Sequence, residues 1–150
     1  MVESRASCEI ELPAAVVFDR LTALRNHERL IPLTRISTPD RRPAVGDVTV
    51  ATSAGLLRDT MELVAYQRPG DDGVGAARWV KRGPVLLGEA EIVVTPVAAG
   101  CRVDWIERDI VVRGLPFTRA PLTALIATMT RLALARFVRL CAPRTNNATL

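Results

Sequence analysis

Residues 115–141 hold the one long apolar stripe of this chain, and whatever precedes it must fold so as to use it. Leu122, Leu125, Ile126, Met129, Leu132, Ala133, Phe137 and Leu140 recur at helical spacing. Arg119, Arg131, Arg136 and Arg139 fall mostly off the stripe. Pro121 sits in the first turns, where a proline delays or bends the start. Upstream, the sequence reads as strands: "LTRIST" (33–38), "VTVATS" (48–53), "RDTMELVAYQ" (58–67), "AARWVKRG" (76–83), "GEAEIVVTP" (88–96) and "CRVDWIERDIVV" (101–112). Pro- and Gly-rich segments at 39–47 and 69–75 separate them, the second with an Asp-Gly hairpin signal. Short turns make the later strands antiparallel neighbours. One sheet must bury one face, and only this helix offers a large apolar stripe to cover it. The fold class is therefore α+β.

The N-terminal part is compatible with that plan. "ASCEIEL" (6–12) alternates and reads as a further strand. Pro13 stands where a helix starts, and Ala14, Val17, Phe18, Leu21 and Leu24 give an amphipathic helix over 13–25. "NHERLIP" (26–32) is a short helical turn closed by Pro32. His27 lies in this turn and is expected to be a surface or capping residue, because no Ser or Cys motif accompanies it. The chain is expected to form a single domain over 1–150, with the polar tail from about 143 unstructured.

Charge and cysteine content exclude several classes. The net charge is +4, and of 20 basic residues only Lys81 is lysine. Arginine in such excess, with abundant Ala and Val, resembles coding in a GC-rich bacterial genome. Among the arginines only Arg41 and Arg42 are adjacent, and no basic run forms, so no nucleic-acid partner is predicted. Cys8, Cys101 and Cys141 are far apart and the chain has one His, which leaves no metal site and no cofactor in view. Reduced thiols and the lack of a signal-like or membrane-length apolar run point to a cytoplasmic protein without integral membrane contact. A homodimer stays open.

Three segments carry a resemblance: "CEIELPAAVVFDRLTALRNHERLIP", "VGDVTVATS" and "GCRVDWIERD", the last with a GxxVxW pattern. In these the chain resembles the START-like (SRPBCC) superfamily, in its polyketide cyclase/dehydrase-type or coenzyme-Q-binding-like branch, over about residues 5 to 141. The resemblance implies a helix-grip fold. A curved antiparallel sheet of six to seven strands would wrap a long C-terminal helix, two short helices would follow the first strand, and a cavity would lie between sheet and helix. It further implies a hydrophobic small molecule as partner: a lipid, a sterol or an aromatic polyketide. Fold alone goes no further.

Alternation orients the strands toward that cavity. Met61, Leu63 and Ala65 face in, and Asp59 shares their parity. Ala77 and Trp79 face in together with Lys81. Ala90, Ile92 and Val94 face in, against Glu89 and Glu91. Cys101, Val103 and Trp105 face in, with Arg102 and Asp104 in water, which brings Glu107 and Asp109 to the inner face. Two arrangements are open for the inner polar set of Asp59, Lys81, Glu107 and Asp109. Either that end of the sheet runs past the helix into solvent or a bulge flips the parity, or the four groups line a pocket in which Lys81 meets Glu107 or Asp109. In the pocket version Trp79 and Trp105 stack on a ring, and Met61 and Met129 add adaptable apolar contact, though core filling is the preferred reading of each Met. Gly83-Pro84 reshapes a hairpin or bulge beside the pocket. Phe117 is expected to be a staple at the start of the long helix rather than a gate.

Three functions compete. The first is binding or carriage of a hydrophobic or aromatic molecule. The second is a cyclase or dehydratase acting on a polyketide-like substrate through Lys81 and Glu107 or Asp109. The third is a protein-interaction module with a vestigial cavity. No Ser-His-Asp or Cys-His arrangement is present, which argues against nucleophilic catalysis.

Overall fold

The computed structural model describes residues 1–71 and 73–142. The tail beyond 142 and Asp72 of the Asp-Gly pair lie outside the described residues. Among the described residues, seven strands and two α-helices follow in order: β1 (Glu3–Ile10), α1 (Ala14–Thr22), a 3-10 helix (Leu24–Arg29), β2 (Thr34–Ser37), β3 (Val48–Ser53), β4 (Leu57–Gln67), β5 (Gly75–Pro84), β6 (Leu86–Val97), β7 (Gly100–Val112), a 3-10 turn (Pro116–Thr118) and α2 (Arg119–Cys141). All strands belong to one antiparallel sheet in the order β1-β7-β6-β5-β4-β3-β2. The chain has the α+β helix-grip architecture, with the sheet curled on α2.

Successive hairpins build the sheet from β2 to β7, and β1 closes the far edge by pairing with β7 from Glu3↔Arg108 to Ile10↔Cys101. α2 packs on β1 and β7, whereas α1 packs across β6, β5 and β7. Val17, Phe18 and Leu21 of α1 are fully buried. They join Ile92, Val94, Val103, Leu134 and Phe137 in the dry part of the core, each contributing on the order of 1.5–3 kcal/mol. The ring of Phe18 lies 5.5 Å from that of Tyr66.

Helix α2 begins after Pro116–Thr118, and Pro121 is harmless in its first turn because the amide there has no intrahelical acceptor. Thr118 Oγ1 accepts the Val112 amide and donates to the Leu115 carbonyl, which fixes the helix start against the end of β7. The apolar stripe is rotated from the sequence expectation. Ile126, Thr130, Ala133, Leu134 and Phe137 are the buried face, and Leu125, Leu132 and Leu140 are exposed. Thr130 enters the core because its hydroxyl bonds back to the Ile126 carbonyl. Phe117, expected as a staple, is 76% exposed and staples nothing.

Two bulges bend one end of the sheet. β5 gains a residue against β4 between Lys81 and Gly83, whose φ is +97°, so Gly83-Pro84 does reshape the hairpin. β7 gains one opposite Gly88 of β6, where Asp109 takes a φ of +51°. Gly88 itself has a φ of +135°, and a Cβ there would press on the Arg108 and Asp109 carbonyls at 2.8 and 3.0 Å. Asp104 corrects a second expectation. It sits on the outer face as predicted, but it is buried there by Ser7, Arg102 and Arg5.

Candidate ligand cavity

A cavity of about 310 Å³ lies between the bent end of the sheet and the first half of α2. Its volume is at the small end for small-molecule sites. The β-register explains why space remains. Across the inner face, Leu63, Trp79, Ala90 and Glu107 form one cross-strand row, and Met61, Lys81 and Gly88 form the next. Small residues on β6, Gly88 and Ala90, separate the long side chains on β5 from those on β7. Leu122, Ile126 and Met129 of α2 roof the space.

Seven of the eight residues expected at a site line this cavity: Asp59, Met61, Trp79, Lys81, Trp105, Glu107 and Met129. The eighth, Asp109, does not. The β7 bulge turns it out of the inner row, and its side chain accepts the Val2 amide while its own amide donates to the Val2 carbonyl. Asp109 thus anchors the start of β1. The parity flip weighed as one arrangement holds for Asp109 and not for Glu107.

The polar groups on the wall are buried and partly paired. Lys81 Nζ donates to Asp59 Oδ2 at 2.7 Å and lies 3.6 Å from Met61 Sδ. The expected partners of Lys81 were Glu107 or Asp109; its direct contact is Asp59, because the β5 bulge sets Asp59 opposite Pro84 beside it. Burial works to lower the Lys81 pKa, but Glu107 and Asp59 together outweigh it and raise the net value. Lys81 therefore stays an ammonium. Glu107 Oε1 accepts the Trp105 indole N–H at 3.0 Å. Burial raises the Glu107 pKa above its usual 4.5, and the opposing pull of Lys81 and the indole does not cancel it. Among the described residues, Asp59 Oδ1 and Glu107 Oε2 have no hydrogen-bond partner. Each is a buried acceptor that favours water or a ligand group beside it.

His27 belongs to this wall, against the expectation of a surface or capping residue. It is buried, its ring is 5.1 Å from that of Trp105, and Nε2 lies 2.8 Å from the Leu21 carbonyl. A carbonyl only accepts, so Nε2 carries the proton. Burial lowers the pKa, with the Lys81 charge adding to that, and the ring is neutral near pH 7. No sequence signal marks this role, because a histidine in a polar turn looks the same whether the turn folds inward or outward.

A second cavity of about 270 Å³ lies on the other side of Trp79 and Leu24, which form the wall between the two. Its rim carries the pairs Arg25–Asp40 and Arg41–Asp47.

Residues 1–142 match the family model described as polyketide cyclase / dehydrase and lipid transport. No curated protein matches the sequence. Among solved structures, protein CV1439 from Chromobacterium violaceum is similar with a TM-score of 0.65 at 11% identity, covering 94% of this chain and 97% of that one. TTHA0849 from Thermus thermophilus gives 0.65 at 17% identity, over 92% and 95%. The di-domain ARO/CYC BexL gives 0.64 at 16% identity over 93% of this chain and 46% of its own length, so the chain spans about half of that protein. At such identities these likenesses concern the fold.

Proposed function

Given that this chain belongs to the polyketide cyclase/dehydrase and lipid transport family, we propose that it binds or carries an uncharged hydrophobic or aromatic small molecule in the cavity beneath α2. The observation that carries this reading is the charge balance of the wall. One ammonium faces two carboxylates inside a mostly apolar space. Whether Glu107 is ionised or protonated, the set carries no net positive charge. An anionic head group would add negative charge to a buried site whose ammonium is already paired with Asp59. A neutral ligand with a carbonyl or hydroxyl fits, since Glu107 Oε2 donates when protonated and Asp59 Oδ1 accepts. Trp79 and Trp105 provide flat apolar surface for a ring. A vestigial cavity would leave no room for any of this, so the interaction-module reading is disfavoured.

The chain's two tryptophans both line the cavity, so intrinsic fluorescence reports occupancy directly. Titration with neutral aromatic ketones, quinones and fatty alcohols is expected to change the emission. The corresponding fatty acids are expected to bind more weakly at neutral pH. Affinity for carbonyl ligands falls as pH rises through the raised Glu107 pKa, and Glu107→Gln removes that dependence. Native mass spectrometry of freshly purified protein identifies what is carried. Tight binding of carboxylates with no response to neutral compounds would refute the reading.

The raised Glu107 pKa in an apolar pocket also favours a second reading, a cyclase or dehydratase. In a dehydration, protonated Glu107 gives its proton to the departing hydroxyl, which leaves as water. A base takes the α-proton, and the electron pair left behind becomes the new double bond. Asp59 is the other carboxylate available for that role. Glu107→Gln separates the two readings: it spares carriage of a hydroxylated ligand and abolishes turnover.

A further inference from the structure

The segments that surround the cavity mouth converge at one end of the sheet, and their surface is unlike the rest of the molecule. The antiparallel register brings together residues 31–37 at the start of β2, the β3–β4 turn at 53–58, the β5–β6 turn at 83–88, and residues 110–125 from the end of β7 into α2. The large side chains exposed there are Leu33 (79%), Leu56 (90%), Phe117 (76%) and Leu125 (63%), with Leu57 and Leu115 beside them. Leu57 and Leu125 also line the cavity, so the apolar surface continues from the wall out onto the rim.

These four segments contain no Asp or Glu. They carry Arg35, Arg58, Arg113 and Arg119, none of which pairs with a carboxylate among the described residues. Elsewhere on the sheet the arginines are neutralised: Arg108 by Glu3 and Glu91, Arg82 by Glu62, Arg102 by Asp104. Unpaired cations around protruding apolar side chains match the chemistry of an anionic lipid surface, with acyl chains below and phosphates above. A second copy of the chain would set arginine against arginine. A polyanion in water would leave four large apolar side chains exposed.

We propose that the mouth end docks on anionic phospholipid bilayers, with Leu33, Leu56, Phe117 and Leu125 entering the interface and the four arginines meeting head groups. The cavity then opens toward the membrane, and its ligand passes between bilayer and protein without crossing water. That last step rests on the ligand-carrier reading; the docking itself does not. The test is co-sedimentation of the full chain, without added ligand, with vesicles of phosphatidylcholine alone and of phosphatidylcholine with an equal share of phosphatidylglycerol. Strong binding is expected only with phosphatidylglycerol. Arg58→Gln and Arg119→Gln each weaken it about fivefold. Leu56→Asp combined with Phe117→Asp abolishes it, although neither residue lines the cavity and ligand quenching of the tryptophans survives. The proposal is overturned if the protein ignores anionic vesicles, whether or not it binds ligand, or if the Asp double variant binds them like wild type. The second result would mean that the arginines adsorb to head groups by charge alone and that no apolar side chain enters the interface. A loss of ligand quenching in the wild type, with vesicle binding intact, would sink the carrier reading and uphold the docking.

Discussion

Replacing Lys81 by Met should reveal how far the buried charges hold each other up. The ammonium is held 2.7 Å from Asp59 Oδ2, and both residues are about nine-tenths buried. Without it, the cavity wall keeps two carboxylates and no cation. Breaking a buried pair from one side costs about 3–5 kcal/mol, because the partner is left charged in a poor solvent. For a chain of this size that is on the order of 10 °C in melting temperature. Asp59→Asn in the same chain removes the stranded charge, and Glu107, whose pKa is already raised, takes up a proton at little cost. The double variant should therefore recover most of the loss, to within about 1–2 kcal/mol of wild type. The assay is urea unfolding of wild type, both single variants and the double variant at pH 7, read as a cycle. If the double variant is destabilised by the sum of the single losses, the two groups do not compensate each other and the charge-balance argument fails.

Two further predictions concern stability. The His27 pKa is lowered by burial, so the unfolded chain takes up a proton near pH 6.5 that the folded chain refuses. Stability is full above that pH and is lost as pH falls below it. The urea midpoint should drop between pH 7 and about 5.5, and His27→Gln should flatten that slope if the assignment holds. Gly100, with a φ of +151°, opens β7 at its hairpin turn, and a Cβ there would run into the Ile10 carbonyl and sit 2.8 Å from Glu11 Cα. Gly100→Ala should cost about 3 kcal/mol or more, seen as a lower melting temperature. A neutral result would mean that the β1 edge shifts freely.

Much of this site could be read from alternation alone. Met61, Trp79, Lys81, Trp105 and Glu107 point inward because strand parity and one apolar face leave no other choice. Asp109 escaped because a bulge shifts parity without changing composition. Its only trace in the sequence was Gly88 on the neighbouring strand, and a lone glycine has many uses. Lys81 was placed correctly while its partner was not, since contact between Asp59 and Lys81 depends on the β5 bulge. The rotation of α2 was hidden for another reason. Leu125, Leu132 and Leu140 continue the apolar pattern of the buried face, and hydrophobicity cannot distinguish a side chain that packs on the sheet from one exposed beside a cavity mouth.

The closure of the sheet sets an order of events as well as a shape. β1 pairs with β7, roughly a hundred residues later, whereas β2 to β7 are joined by local hairpins. The hairpins can form as they are made; β1 cannot, and at about 5–20 residues per second it waits several seconds for its partner during synthesis. α2 follows β7 in the chain and packs on both β1 and β7, so its seat is complete only once those two strands have joined. The ligand chamber is thus the last part of the molecule to become a chamber, and slow folding of this chain should be governed by the joining of its first strand to its last.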